Sequence, residues 1–495
     1  GTIATATQNS ITTMTGLTAV GAAGTASSIA GIPFFTAESS SIYTHDVSGT
    51  DDTASYNTAY GIQAMDAITT GDNNTALGYQ SLSANTTGEQ NVAVGAESMK
   101  SNTTGNYNTA LGLAAMSQNT TGARNIAIGT QAYDASDTEN DNIAIGFQAM
   151  TTNTAGGTQN VAVGNYALDA LTSGDKNTAV GHLALSTNTT AENNTAVGAD
   201  ALLTNDGSNN TGIGTNALKL STTGTQNTAV GHNALTANTT ASQNTAVGQE
   251  SLKANTTGTA NVAVGAEALK ANTTADNNTA VGMNSLLANT TGAANTALGS
   301  HALATNTTGL NNVAVGINTL LVNTTGYDNV AVGKEAMKDC TEGYGNVAIG
   351  RTALENVTTG DYNTALGRGA LNSTLTGNNN IAIGLNSTAT SASISNQITL
   401  GNTDHDNLRC QDTSISAISD ERDKTNIVNI PLGLAFLNTV RPVSFDWAAR
   451  DGSKIGKKDF GFIAQELKVA ADATDYANHM RLVHDDNPDK LEADP

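Results

Sequence analysis

The polar and apolar positions of the chain obey one short rule over most of its length. A stretch Asn-(Thr/Val/Ile)-Ala-(Val/Ile/Leu)-Gly recurs from Asn57 onward with few variations. Its 21 glycines run from Gly61 to Gly401, each 17 positions after the last, apart from one spacing of 18 before Gly164 and one of 16 before Gly214. The two slips cancel. A fixed period carried through that many units is the signature of a solenoid, in which each repeat buries its apolar side only by stacking on its neighbours. The pattern predicts one coil per unit over residues 57–401, each with a short strand, a glycine corner, a second apolar step and a polar turn.

Within the strand the second and fourth positions share one face and the third takes the other. The fourth is aliphatic in every unit except the first, where it is Tyr60, and we expect it to point into the coil's own core. The third is Ala in 19 of 21 units, Gly212 and Thr399 being the exceptions. Its small size on the opposite face predicts close approach by a neighbouring chain around a threefold axis. Four residues after the glycine comes Leu or Met from Met65 to Leu371, with Tyr133 the one departure, and this residue should close the core from the other side. The turn that follows is Asn-Thr-Thr-Gly, as in Asn85–Gly88 and Asn255–Gly258. Its glycine is expected to supply positive φ, its Asn to bond the local backbone, and stacked Asn and Thr to hydrogen-bond up the ladder. A helix is excluded because no apolar face persists at i, i+3, i+4, i+7 across that turn. Twenty steps of about 4.8 Å give a shaft of roughly 95 Å. One aliphatic and one Leu per coil make a thin core, so several chains should associate, and a homotrimer is expected.

Composition narrows the function classes. Charged residues are 13% of 495 and the net charge is −22, so the surface is Asn, Thr and Gly and no nucleic-acid partner is expected. No run of 18 apolar residues is present, so no membrane-spanning segment is expected. Two cysteines, Cys340 in an Asn column and Cys410 beyond the repeats, give neither a disulfide scaffold nor a zinc cluster, and free thiols are expected. No metal and no cofactor is expected. The many Asn-x-Thr triplets sit at structural positions of the repeat, and neither a calcium-binding glycine pattern nor a consistent carboxylate pair appears in it. Irregular turns at Asp134–Asp141 and Leu203–Asn209 are the places in the shaft to look for recognition.

The repeat resembles the head of trimeric autotransporter adhesins, a left-handed parallel β-roll built on an Asn-x-Ala-Ile/Val-Gly motif. The resemblance covers 57–401 and implies a stalk or adhesive surface. The coil here is longer than that family's usual one, so the cross-section should differ.

A boundary falls near residue 418. Residues 1–418 hold 11 basic and 29 acidic side chains, whereas the much shorter stretch from 419 onward holds 10 and 14, together with the single Trp447. The expected divisions are a connecting region at 1–56, the shaft at 57–401, an exit segment at 402–418 and a second domain at 419–495. That domain reads Ser419-Asp-x-Arg-x-Lys424-x-Asn-Ile427, then Arg441-Pro-Val-Ser-Phe445, then Gly461-Phe-Ile-Ala-Gln-Glu466. A Lys of lowered pKa can take the proton of a Ser hydroxyl and make it a nucleophile. The three motifs, in this order, resemble the intramolecular chaperone (peptidase S74) domain that ends phage tail spikes and fibres, endosialidases among them.

The resemblance implies Ser419 as nucleophile, Lys424 as base, and scission of Ile418–Ser419 after the chains have assembled. Asp420, Arg422, Asn426, Gln465 and Glu466 match the motifs as supporting residues. Helix is expected in the later parts of 431–439 and 460–471, and a strand at 441–447, making a small α+β domain. The family's domain continues into long C-terminal helices, which are expected to lie outside the given sequence. The whole reads as a mainly β chain, a parallel β-roll or solenoid of about 21 coils with a terminal chaperone. The function implied is a virion-borne phage tail fibre or spike that binds a host-surface glycan or protein and docks on tail or baseplate proteins. A bacterial cell-surface adhesin is the alternative. Catalysis is limited to single-turnover self-cleavage.

Overall fold

The computed structural model describes residues 27–29, 32–34, 42–43, 53–153, 156–405, 434–446, 458–474, 483–484 and 492–493. From Thr58–Tyr60 to Ile398–Leu400 the repeats form 21 three-residue strands. Each pairs in parallel with its sequence neighbours, motif on motif, as in Thr245 with Val262 and Ala246 with Ala263. A further strand, Ile42–Tyr43, pairs in parallel with Thr58–Ala59, so the ladder starts one coil before the first recognisable motif. The chain is therefore a mainly β protein with a parallel β-solenoid of 17-residue period.

The irregular spacings leave the strand register intact, Val161 lying opposite Ile143 and Thr195 opposite Thr211. Both are absorbed in the Asn-Thr-Thr-Gly turn. The Asn153 amide spans four residues to the Gly157 carbonyl (2.8 Å), and that of Asn205 only two to Gly207 (2.7 Å), where regular coils span three.

The strand faces are opposite to the expectation. The motif alanines point inward and are fully buried along the shaft, as at Ala93, Ala196 and Ala331. The aliphatic fourth position faces outward, and Leu298 is 48% exposed. The reason is room. The Leu or Met four residues after the glycine is fully buried, as at Leu252 and Met337, and two Asn amides per regular coil occupy much of the remaining interior. At Gly212 even an added methyl would come within 3.2 Å of Leu202 and of the Ala217 carbonyl oxygen. Between stacked coils a branched side chain at the inward strand position has no space; Thr399 holds it only in the last strand.

Two asparagine columns run through this interior. In the first, the Asn261 amide donates to the Ala275 carbonyl (2.8 Å), while its oxygen accepts the backbone N–H of Asn278 (3.0 Å). In the second, Asn272 donates to the Asn255 oxygen (2.9 Å) and to the same Ala275 carbonyl (3.1 Å). The Thr256 hydroxyl donates to the Thr273 carbonyl (3.0 Å), completing the expected Asn and Thr ladders. Cys340 stands in the second column as a free, buried thiol, its Sγ 3.7 Å from the Gly343 carbonyl; burial pushes its pKa up to about 12.

The motif glycine is the corner. Gly299 has φ +141°, and a Cβ there would lie 2.4 Å from the Gly316 carbonyl oxygen. The turn glycine differs from the expectation: Gly309 is not in the left-handed region, and it is small because the Asn306 amide oxygen and the Gly326 carbonyl approach it. Its column admits Ala at 191, 241 and 275. Left-handed backbone instead falls on buried leucines such as Leu286 (φ +50°), a conformation that L residues avoid unless surrounding packing holds it.

The chain divides into two compact units, Gly1–Asn402 and Thr403–Pro495. In the second, strand Val443–Asp446 pairs antiparallel with Lys458–Gly461, Val443 opposite Gly461. Helices span Leu434–Leu437, within the first segment read as helical from the sequence, and Ala464–Asp472, one residue past the end of the second.

The two glycine columns should respond differently to one methyl. Gly299→Ala should cost about 3 kcal/mol or more, combining φ strain with a backbone clash. Gly309→Ala should cost about 1–2 kcal/mol. Urea denaturation of each variant followed by circular dichroism measures both.

Candidate functional site

In the second unit, Gln465 and Glu466 lie in the first turn of helix Ala464–Asp472, where a carboxylate meets the positive end of the helix dipole. Glu466 takes a two-pronged ion pair from Arg441, Nε to Oε2 at 3.0 Å and Nη2 to Oε1 at 2.5 Å. The guanidinium hydrogen-bonds the carboxylate and holds Glu466 below the usual glutamate range; Arg441 is raised in turn. The pair is solvent-exposed, so it orients more than it stabilises. It ties the chain two residues before the strand Val443–Asp446 to the helix.

Phe436, Arg441, Gln465, Glu466 and Val469 line an open groove of about 780 Å³, its wall mostly apolar. Leu434, Phe460 and Val469 are 73%, 82% and 69% exposed. Arg441 is the residue whose role sequence reasoning missed. It opens a matching motif, but only the fold shows that its partner is 25 positions away. Ser419, Lys424, Ile418, Asp420, Arg422 and Asn426 lie outside the described residues.

The two irregular turns of the shaft are internal repairs. Glu139 occupies the turn-glycine position and is 3% exposed. Its Oε2 accepts from the Ser136 hydroxyl (2.9 Å) and the Asp137 and Thr138 N–H groups (2.9 and 3.0 Å), and its Oε1 from Gly156 N (3.1 Å). Ser136 stands where regular coils have Asn, which leaves room for the Tyr133 ring. The hydroxyl of Tyr133 accepts from Asn142 and Asn153, and burial raises its pKa. Asp206, in the shortened turn, accepts the backbone N–H groups of Thr189 and Thr190 at 3.1 Å. These carboxylates are engaged within the shaft, by their own turn or by the adjacent coil. Among the described residues no cluster of three or more His, Cys, Asp or Glu could hold a metal ion, and no helix is long and apolar enough to cross a membrane.

A parallel β-solenoid followed by a small α+β unit defines the class: a fibre-like or spike-like shaft with an appended domain. Residues 419–476 match the family model described as the chaperone of endosialidase, Peptidase_S74. The chain thus carries an intramolecular chaperone domain of that type at its C-terminal end. No curated protein matches the chain.

The ion pair has a pH signature. Because the Glu466 pKa is lowered, the pair persists above the ordinary glutamate range and is lost as pH falls through the lowered value. A carboxyl NMR titration should show a midpoint below the ordinary range, and Arg441→Ala should return it there.

Proposed function

We propose that this chain is the shaft of a homotrimeric phage tail fibre or spike that attaches to a host surface, brought into register by its C-terminal chaperone and then cut free from it. The observation that carries the reading is the chaperone match at 419–476, close behind the last ladder strand at Ile398–Leu400. A strictly periodic repeat offers three chains many false alignments, each one coil out of register. A domain that assembles first removes that degeneracy.

The outward aliphatic column supports association. From Leu77 to Leu400 every coil presents Val, Ile or Leu at this position, beside a second outward column of Thr, Val and Ile. Monomers rarely expose continuous apolar patches beyond a few hundred Å². Joining these columns around a threefold axis covers them. The small alanines are already spent inside each coil.

In the proposed cleavage, the Ser419 hydroxyl adds to the Ile418 carbonyl carbon while Lys424 takes the hydroxyl proton. The peptide C–N bond breaks, and the departing Ser419 nitrogen receives that proton, leaving an ester between Ile418 and the serine oxygen. Water hydrolyses the ester to a carboxylate on Ile418 and restores the hydroxyl. Serine lies beside its target, so orientation comes from the fold and each chain reacts once.

Intact-mass analysis of the gene product carrying the complete chaperone domain tests this. The parent should give two pieces with Ser419 as a new N-terminus, and Ser419→Ala should stay whole; a whole parent overturns the self-release. For the assembly, Val264→Asp with Leu298→Asp brings carboxylates of three chains together without solvent, at roughly several kcal/mol. Sedimentation equilibrium should show trimers for the parent and monomers for the double variant.

A further inference from the structure

The two positions just before each motif asparagine are polar or small in most coils. Near the C-terminal end of the shaft they change character. Tyr327 and Tyr344 stack across adjacent coils with ring centroids 4.7 Å apart and planes 6° from parallel. Tyr362 meets Tyr344 edge to face at 5.0 Å. Leu310, one coil earlier, is 43% exposed, Tyr327 39% and Tyr362 58%.

A seat is built for the last ring. Gly345 is the one glycine in its column, at φ +65°, where other coils carry a side chain. A Cβ there would come within 2.9 Å of the Tyr362 ring, so the missing side chain is what lets the ring lie over the backbone. Its neighbour Tyr362 above all, with Asp361 and Tyr327, pushes the Tyr344 hydroxyl up to about 12. Two carboxylates flank the rings in fixed positions. Asp361 accepts the Tyr344 N–H (3.0 Å), and Asp328 accepts the Asn311 amide (3.0 Å).

We propose that this tyrosine cluster is a binding site for a neutral glycan. The proposal rests on the attachment reading above and gives it a place and a ligand class. Exposed tyrosines offer apolar ring surface with a polar end, and anchored carboxylates accept hydroxyl protons, the pairing that a polyhydroxylated ring with C–H faces requires. Charge excludes an acidic sugar: no Lys or Arg occupies either column after Lys176, and both flanking charges are negative. Size argues against a protein partner. Three coil steps make the patch about 14 Å tall, and at one or two side chains wide it falls far short of the roughly 800 Å² per partner of a stable protein interface.

The test is binding of the intact trimer to an array of neutral, amino-sugar and sialylated oligosaccharides, with adsorption to a panel of bacterial cells before and after periodate oxidation of their surface glycans. Tyr362→Ala removes the most exposed ring. Gly345→Asn fills the seat with a residue its column holds elsewhere at the same φ. The expected result is binding to neutral oligosaccharides that each variant weakens at least tenfold, with melting temperature and trimer mass unchanged. Binding that survives both variants overturns the site, as does binding confined to sialylated probes, or loss of trimer in either variant. Adsorption to cells that survives periodate, with no binding on the array, overturns the glycan and leaves attachment standing. Failure to adsorb to any cell removes both.

Discussion

The shaft depends on how the polar groups inside each short coil are satisfied. The coil is too narrow to bury a hydrocarbon layer on every side, so its interior is half amide. Each first-column asparagine joins the carbonyl of its own turn to the backbone N–H of the next coil, and removing the amide would strand both groups away from water. Because every coil supplies the partner of its neighbour, the interaction holds only while the period holds. This is why a slip of one residue is absorbed in the turn and never in the strand. Where Ser136 replaces the second-column asparagine, the turn is satisfied from the other side, the buried Glu139 carboxylate accepting the Ser136 hydroxyl and the backbone N–H groups of Asp137 and Thr138.

The same narrowness governs the surface. Between the end strands, where Tyr43 and Thr399 stand, alanine is the largest side chain at the inward strand position, so the larger aliphatics are forced outward, and a coil that cannot use them internally must present them to something else. A long, straight, repetitive apolar face is well suited to associating with copies of itself and poorly suited to choosing a register. A terminal chaperone of the kind matched at residues 419–476 answers that second need.

A scaffold made this uniform confines individuality to its outer columns. The irregular acidic turns, which draw the eye in the sequence, are engaged by their own and adjacent coils. The tyrosines at 327, 344 and 362 are inconspicuous along the chain because each belongs to a different coil. Stacking places them in contact.

The period, the parallel ladder, the buried Leu/Met column and the asparagine ladders were legible in the sequence, because residues repeated at a constant interval must meet the same environment in every coil. The direction of the strand faces was not. Alternation tells which residues share a face, and it is unchanged when inside and outside are exchanged. Only the interior volume left by Leu286 and the asparagine amides decides that the alanine goes in. Likewise the turn glycine reads as a conformational residue, but its neighbours across the coil make it a steric one. Arg441 and Glu466 each belong to a recognisable motif, yet their pairing needed a strand and a helix to bring two distant positions of the chain into contact. Sequence carries what repeats locally, and tertiary structure decides what depends on volume and on distance through space.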